Sequence, residues 1–68
     1  MKNYTIGELY AGAWDNAIEQ TAGAVKKLHG REYTRADWVV LEAYAEVYRL
    51  EFDIDGYIVP AEVRQGAV

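Results

Sequence analysis

The sequence predicts a small, mainly helical protein in which two long helices pack together and a short C-terminal hairpin or turn closes the fold. Three observations carry this prediction: two helix-start signals of the same design, apolar residues at helical spacing after each signal, and an Asp-Gly pair after the second helix. Since the chain has 68 residues, we expect a single domain over residues 1–68.

Both helix-start signals are capping boxes. Thr5 is followed three residues later by Glu8, and Thr34 is followed three residues later by Asp37. In this arrangement the hydroxyl accepts a hydrogen bond from an N–H group of the first turn, and the carboxylate accepts one from the threonine N–H. The helices are therefore expected to begin directly after Thr5 and Thr34.

The first helix is predicted over residues 6–29. Gly30 is expected to end it in a left-handed conformation. Gly12 and Gly23 each suggest a bend or a close backbone approach, and a kink or break near Gly23 is expected. The spacing of apolar and small residues predicts one buried stripe, formed by Tyr10, Trp14, Ala17, Thr21, Ala24 and Leu28 and widened by Ile18 and Val25.

The second helix is predicted from residue 35 to residue 50 or 52 and is apolar around most of its circumference. Its charged residues share one strip: Arg35, Glu42, Glu46, Arg49 and Asp53. The apolar remainder comprises Trp38, Val39, Val40, Leu41, Tyr44, Val47, Tyr48, Leu50 and Phe52. One partner helix, antiparallel or oblique, cannot cover so wide a surface, so this helix is either central or pairs with a copy of itself.

The C-terminal segment changes from helical spacing to alternation around Asp55 and Gly56. An Asp-Gly pair between alternating apolar residues predicts a hairpin over residues 53–59, with a loop as the alternative. Pro60 is expected to end any strand or to open a final helical turn over residues 61–65.

Composition narrows the classes of function. The net charge is −4, with eleven acidic and seven basic residues, so direct nucleic-acid binding is not expected. The chain has neither a long apolar run nor the start of a signal peptide, which predicts a cytoplasmic protein without membrane attachment. With no cysteine and one histidine, we expect neither a disulfide nor a zinc site, and no cofactor.

No residue set of a known catalytic type occurs. The chain contains neither serine nor cysteine, and His29 is best explained as a cation at a helix C-terminus. Asp15 and Glu19 stand one helical turn apart on the polar side of the first helix, where no pocket is expected to raise the pKa of either carboxyl. The chain is therefore not expected to be an enzyme.

A local resemblance to the calmodulin-type EF-hand loop begins at residue 51. The matching residues, at loop positions 1, 3, 5, 6 and 12, are Glu51, Asp53, Asp55, Gly56 and Glu62, with Glu51 in place of the usual aspartate. The resemblance implies a calcium ion held by these carboxylates, by the Tyr57 carbonyl and by both oxygens of Glu62. The alternative is a structural turn in which Asp53 and Asp55 are turn-forming acids.

The acidic residues also suggest a partner. Carboxylates in a row can stand in for nucleic-acid phosphates, although a solvated helix face is the alternative. In its small size and acidic charge the chain resembles phage-encoded inhibitors of bacterial defence of the anti-CRISPR type. That resemblance implies a protein-binding inhibitor that blocks a basic, nucleic-acid-binding complex. The predicted partner-binding residues are Glu42, Glu46, Asp53, Asp55, Tyr44 and Tyr48. A homo-oligomeric structural or regulatory subunit, such as a homodimer, is the further alternative.

Overall fold

The computed structural model describes residues 2–60. A 3-10 turn at Ile6–Glu8 precedes the first helix, α1, at Ala11–His29, and a second 3-10 turn at Arg35–Asp37 leads into the second helix, α2, at Trp38–Val47. The two helices pack against each other, and the predicted mainly helical fold class is confirmed.

The first capping box forms but starts only a short turn. Thr5 N donates a hydrogen bond of 2.8 Å to the Glu8 carboxylate. Leu9 is then extended and buried, and Ala11 has a left-handed φ of 55°. The prediction of one continuous helix over residues 6–29 is therefore wrong in its first turn, because burying Leu9 in the core takes the chain out of helical geometry before α1 begins.

We expect the first capping box to make stability depend on pH. The hydrogen bond from Thr5 N lowers the pKa of Glu8 below its ordinary value of 4.5. Because the folded pKa is depressed, this stabilisation is present above pH 4.5 and is lost as the pH falls through the folded pKa. Glu8→Gln should therefore lower the urea midpoint at pH 7, and the difference from the wild type should shrink at pH 3.

Glu19→Gln is the matched control, because it removes the same charge from an exposed position on α1. It should change the urea midpoint little at either pH. An equal effect of the two substitutions at both pH values would contradict the role given to Glu8.

The first helix continues without interruption through Gly23, so the predicted break there is wrong. A Cβ atom at Gly12 or Gly23 would meet nothing within 4 Å, so neither glycine marks a close backbone approach. The predicted end is confirmed: Gly30 has a φ of 64°, and its N–H donates to the Lys26 carbonyl at 2.8 Å.

The buried stripe of α1 is shorter than its sequence pattern predicts. Tyr10 is 81% exposed and Leu28 is 67% exposed, so neither belongs to the core. Tyr10 lies in the extended segment before the helix, and α1 spans roughly 28 Å whereas α2 spans roughly 15 Å. One short helix cannot cover the whole length of the longer one. The buried residues of α1 are Ala17, Ile18, Thr21 and Val25.

The second helix ends at Val47, earlier than the prediction of residue 50 or 52. Arg49 takes a left-handed φ of 55°, and Leu50 N donates to the Ala45 carbonyl at 2.9 Å. These are the features of a helix C-cap, usually made with glycine at the left-handed position. Asp53 accordingly does not continue the charged strip of α2 but lies beyond the helix.

The chain after α2 turns back on itself around Phe52. The backbone of Phe52 forms antiparallel bridges with Tyr4 on one side and Ile58 on the other. The Asp53 carboxylate accepts hydrogen bonds from the N–H groups of Asp55 and Tyr57 at 2.9 and 3.0 Å. The predicted hairpin is therefore a tight, side-chain-stabilised turn whose two sides meet at a single bridge.

This turn packs directly on the backbone of α1 at Gly56. Gly56 is buried with a φ of 89°, and an added Cβ would overlap the Ala13 carbonyl oxygen and lie 3.0 Å from Ala17 N. Asn16 Nδ2 donates to the Asp55 carbonyl at 2.9 Å beside this contact. The close backbone approach that was expected at the helix glycines occurs here instead.

The core joins all parts of the described chain. Its buried apolar residues are Ile6, Leu9, Ala17, Ile18, Val25, Leu41, Ala45 and Phe52.

Trp14 near the start of α1 contacts Trp38 at the start of α2, and His29 at the end of α1 contacts Tyr44. Since the contacts follow the same order along both helices, α1 and α2 run in the same direction, and the predicted antiparallel alternative is wrong. Within residues 2–60 the helices are too short or too polar to cross a membrane.

Candidate protein-binding surface on α2

The outer side of α2 is apolar and open to solvent. Val39, Val40 and Val47 are 62%, 44% and 72% exposed. Their spacing along the helix places them opposite the buried Leu41 and Ala45. We define the valine face as the exposed residues Ala36, Val39, Val40, Ala43 and Val47. It contains no charged or hydrogen-bonding side chain, and α1 leaves it uncovered.

A cluster of aromatic rings borders one side of the valine face. We define the tyrosine cluster as His29, Tyr33, Tyr44 and Tyr48. The two ring nitrogens of His29 hydrogen-bond to the hydroxyl groups of Tyr33 and Tyr48, each at 2.9 Å. The rings of Tyr44 and Tyr48 stack with centroids 6.0 Å apart. These contacts join the ends of both helices and hold the rings in defined positions.

Tyr44 lies at the centre of this cluster. The pKa of the Tyr44 hydroxyl is raised above its ordinary value of 10.0. The main cause is a hydrogen bond with the Tyr33 side chain, and electrostatic repulsion from the same group is the second. Tyr44 is therefore a neutral phenol at physiological pH. The Arg31 guanidinium lies 4.7 Å from the centre of the Tyr33 ring and adds a cation–π contact at the edge of the cluster.

Two glutamates lie along the opposite side of the valine face. Glu42 is half-buried, and its carboxylate accepts a hydrogen bond of 2.7 Å from Trp14 Nε1. Glu46 is exposed and lines a shallow groove together with Arg49. Glu42 therefore also has a structural role in joining α2 to α1, whereas Glu46 is the more accessible carboxylate of the two.

Arg35 is paired with α1. Its guanidinium forms an ion pair with Asp15 and lies 4.9 Å from the centre of the Trp14 ring. Arg35 was predicted to belong to a charged strip on α2, but its side chain contacts α1 instead.

The residues predicted to bind a partner fall into two groups. Glu42, Glu46, Tyr44 and Tyr48 border the valine face on its two sides. Asp53 and Asp55 lie instead in the turn after α2, in a depression lined also by Lys2 and Tyr4. The carboxylates do not form one row along a helix, because α2 ends before Asp53. Their role in partner binding stays a prediction.

The residues of the EF-hand resemblance make other contacts. Asn3 Nδ2 donates to the Glu51 carboxylate at 3.0 Å, and one Asp53 oxygen accepts from two backbone N–H groups. Glu62 lies outside the described residues. Across residues 2–60, no three His, Cys, Asp or Glu side chains are grouped so that they could hold a metal ion. Calcium binding therefore stays a prediction.

Sequence reasoning missed the tyrosine cluster as a unit. The sequence alone indicates a helix-end cation at His29, although His29 stands four residues before Tyr33 and Tyr44 stands four residues before Tyr48. Side chains four residues apart on a helix share one face, so the second pair was detectable as a pair. Its contact with His29 was not, because that contact depends on how the two helices cross.

Comparison with protein-family models, with curated proteins and with solved structures gives no match for this chain. The exposure, chemistry and contacts of the chain's own side chains therefore indicate its candidate site. By these measures the valine face and its two borders form the most distinctive surface of the described chain.

Proposed function

We propose that this protein is a non-enzymatic inhibitor that binds another protein through the outer surface of α2. The single observation that carries the proposal is the exposed valine face, bordered by tyrosines on one side and glutamates on the other. An apolar centre with aromatic residues and a polar rim is the usual composition of a protein-binding surface.

Local sequence preferences support a binding role for this face. Valine is a poorer helix former than alanine or glutamate, because its β-branched side chain loses rotamer freedom in a helix. Three valines on the solvent side of a ten-residue helix therefore neither favour the helix nor fill the core. Departures from local preference of this kind are expected where function requires them.

The tyrosine cluster supports the same role. Tyrosine is enriched among the residues that dominate binding energies, and its ring supplies a large contact area. The hydrogen bonds to His29 restrict the Tyr33 and Tyr48 side chains in the free protein. Binding then costs less conformational entropy than it would with freely rotating side chains.

The charge of the chain favours a basic partner. A net charge of −4 and the exposed Glu46 carboxylate beside the valine face would attract a surface rich in lysine and arginine. Nucleic-acid-binding proteins carry such surfaces, so we propose that the partner is a nucleic-acid-binding protein complex whose binding surface the inhibitor blocks. This is the mode of action that the resemblance to anti-CRISPR-type inhibitors implies.

Charge reversal at Glu46 tests this function. The immobilised full chain should capture a basic nucleic-acid-binding protein from a host lysate at low salt and release it at high salt, because screening weakens interactions between exposed charges. Glu46→Lys should weaken binding of the purified captured protein by about tenfold, which corresponds to ~1.4 kcal/mol. The measurement is a titration by fluorescence anisotropy at two salt concentrations.

Glu19→Lys is the control, since it makes the same charge change on an exposed part of α1 away from the valine face. Glu42 is not used, because its hydrogen bond with Trp14 would confound binding with stability. Equal binding by the wild type and Glu46→Lys, or binding that does not change with salt, would contradict the proposed function.

A further inference from the structure

We infer that the element which occupies the valine face is an amphipathic helix of the partner, with basic residues along one of its sides. This inference names the partner chemistry of the surface described above, and it rests on the proposed function.

The shape of the valine face suits a crossing helix. Val39, Ala43 and Val47 are spaced four residues apart and form one ridge along α2. Ala43 is small, so the ridge is lowest at its middle, between two larger side chains. A side chain from a helix that crosses α2 can fill this gap, as in ridges-into-grooves packing. The partner helix would lie on α2 opposite α1, which already covers its inner side.

The net charge of the chain and the Glu46 carboxylate favour a basic helix. Glu46 is exposed along one border, where Arg49 lines the same groove, and the valine face itself contains no cation. An acidic helix would meet this border with like charge. A second copy of the chain would bring a net charge of −4 against −4, and that repulsion opposes self-association. A helix with lysines beside its apolar stripe gains both the apolar contact and the opposite charge.

Two synthetic peptides provide the test. Both carry the same leucine stripe of an amphipathic helix, one with lysine and the other with glutamate at every polar position. Each is titrated into the isotopically labelled full chain, and backbone amide shifts are followed by NMR. The lysine peptide should shift the amides of the valine face, and its Kd should be at least tenfold lower than that of the glutamate peptide.

The double variant Val39→Asn, Val47→Asn should weaken binding of the lysine peptide at least tenfold. Leu28→Asn is the matched control, because Leu28 is also exposed and apolar but lies on α1. This control should bind as the wild type does. Amide shifts confirm that each variant keeps the native fold.

Three results would overturn the inference. One is equal binding of the two peptides, and another is the absence of shifts at the valine face up to millimolar lysine peptide. The third is sedimentation of the wild type as a dimer that the double asparagine variant converts to a monomer, which would make a second copy the occupant.

These failures can be told apart from failure of the proposed function. If Glu46→Lys weakens capture of the basic partner but the double asparagine variant does not, the function stands and helix docking fails. If the lysine peptide binds at the valine face but Glu46→Lys leaves capture unchanged, helix docking stands and the proposed function fails.

Discussion

Replacement of Gly56 by alanine is expected to remove a large share of the protein's stability. The new Cβ would overlap the Ala13 carbonyl oxygen, a backbone atom that cannot move without distorting α1. The φ of 89° at Gly56 adds strain for any residue with a side chain. Together these effects should cost about 3 kcal/mol or more, against a total stability of roughly 3 to 10 kcal/mol for a chain of this length.

Gly23→Ala is the matched control for this substitution. It makes the same chemical change in the interior of α1, where an added Cβ meets nothing within 4 Å. Alanine is the better helix former, so Gly23→Ala should stabilise the protein by about 0.5 to 1 kcal/mol. Urea titrations followed by circular dichroism should therefore show shifts of opposite sign. Shifts of the same sign and size would mean that the turn does not rest on α1 as described.

The second large effect is expected from Phe52→Ala. Phe52 is fully buried, and its backbone bridges both Tyr4 and Ile58, so its side chain lies where the two ends of the described chain meet. Removing the ring leaves a cavity and should cost about 3 to 5 kcal/mol, which is a large part of the stability expected for a chain of this length. Thermal unfolding should then lose its cooperative transition or show it at a much lower temperature.

Ile54→Ala provides the comparison for Phe52→Ala. Ile54 is in the same turn but is 68% exposed, so truncating it should change the free energy of unfolding by less than about 0.5 kcal/mol. Phe52→Leu should fall between the two, because leucine refills part of the cavity. If the Phe52→Ala and Ile54→Ala variants unfolded at the same temperature, the bridged segment would not belong to the cooperative core.

Local signals explain which elements could be predicted. Thr5 with Glu8, Thr34 with Asp37, and Gly30 act within one turn of the chain, and the structure contains all three features where they were expected. The Asp-Gly turn is local in the same sense, since hydrogen bonds between near neighbours decide it. Interactions over so few residues depend little on the rest of the fold.

The errors arose where a distant contact overrides a local preference. The segment around Leu9 follows a capping box and could continue as helix, but burial of Leu9 in the core is worth more than one additional helical turn. Likewise, residues after Val47 carry a helical pattern, but Phe52 must reach the backbone of Tyr4, so the helix stops first. Neither requirement can be read from a short window of sequence.

The candidate site shows the same division. That the second helix carries more apolar surface than one neighbour can cover was evident from its composition, and the exposed valines confirm it. Which side stays open was not evident, because that depends on where α1 crosses. The grouping of His29 with Tyr48 and the hydrogen bond between Trp14 and Glu42 also arise only from that crossing.

The sequence alone therefore determined the helical class, the capping boxes at Thr5 and Thr34, the end of α1 at Gly30 and the excess of apolar surface on α2. Only the tertiary structure decided the lengths of the helices, their relative direction and the side of α2 that faces solvent. The physical reason is range: caps and turns depend on hydrogen bonds between neighbouring residues, whereas burial depends on which distant side chains compete for the same small core.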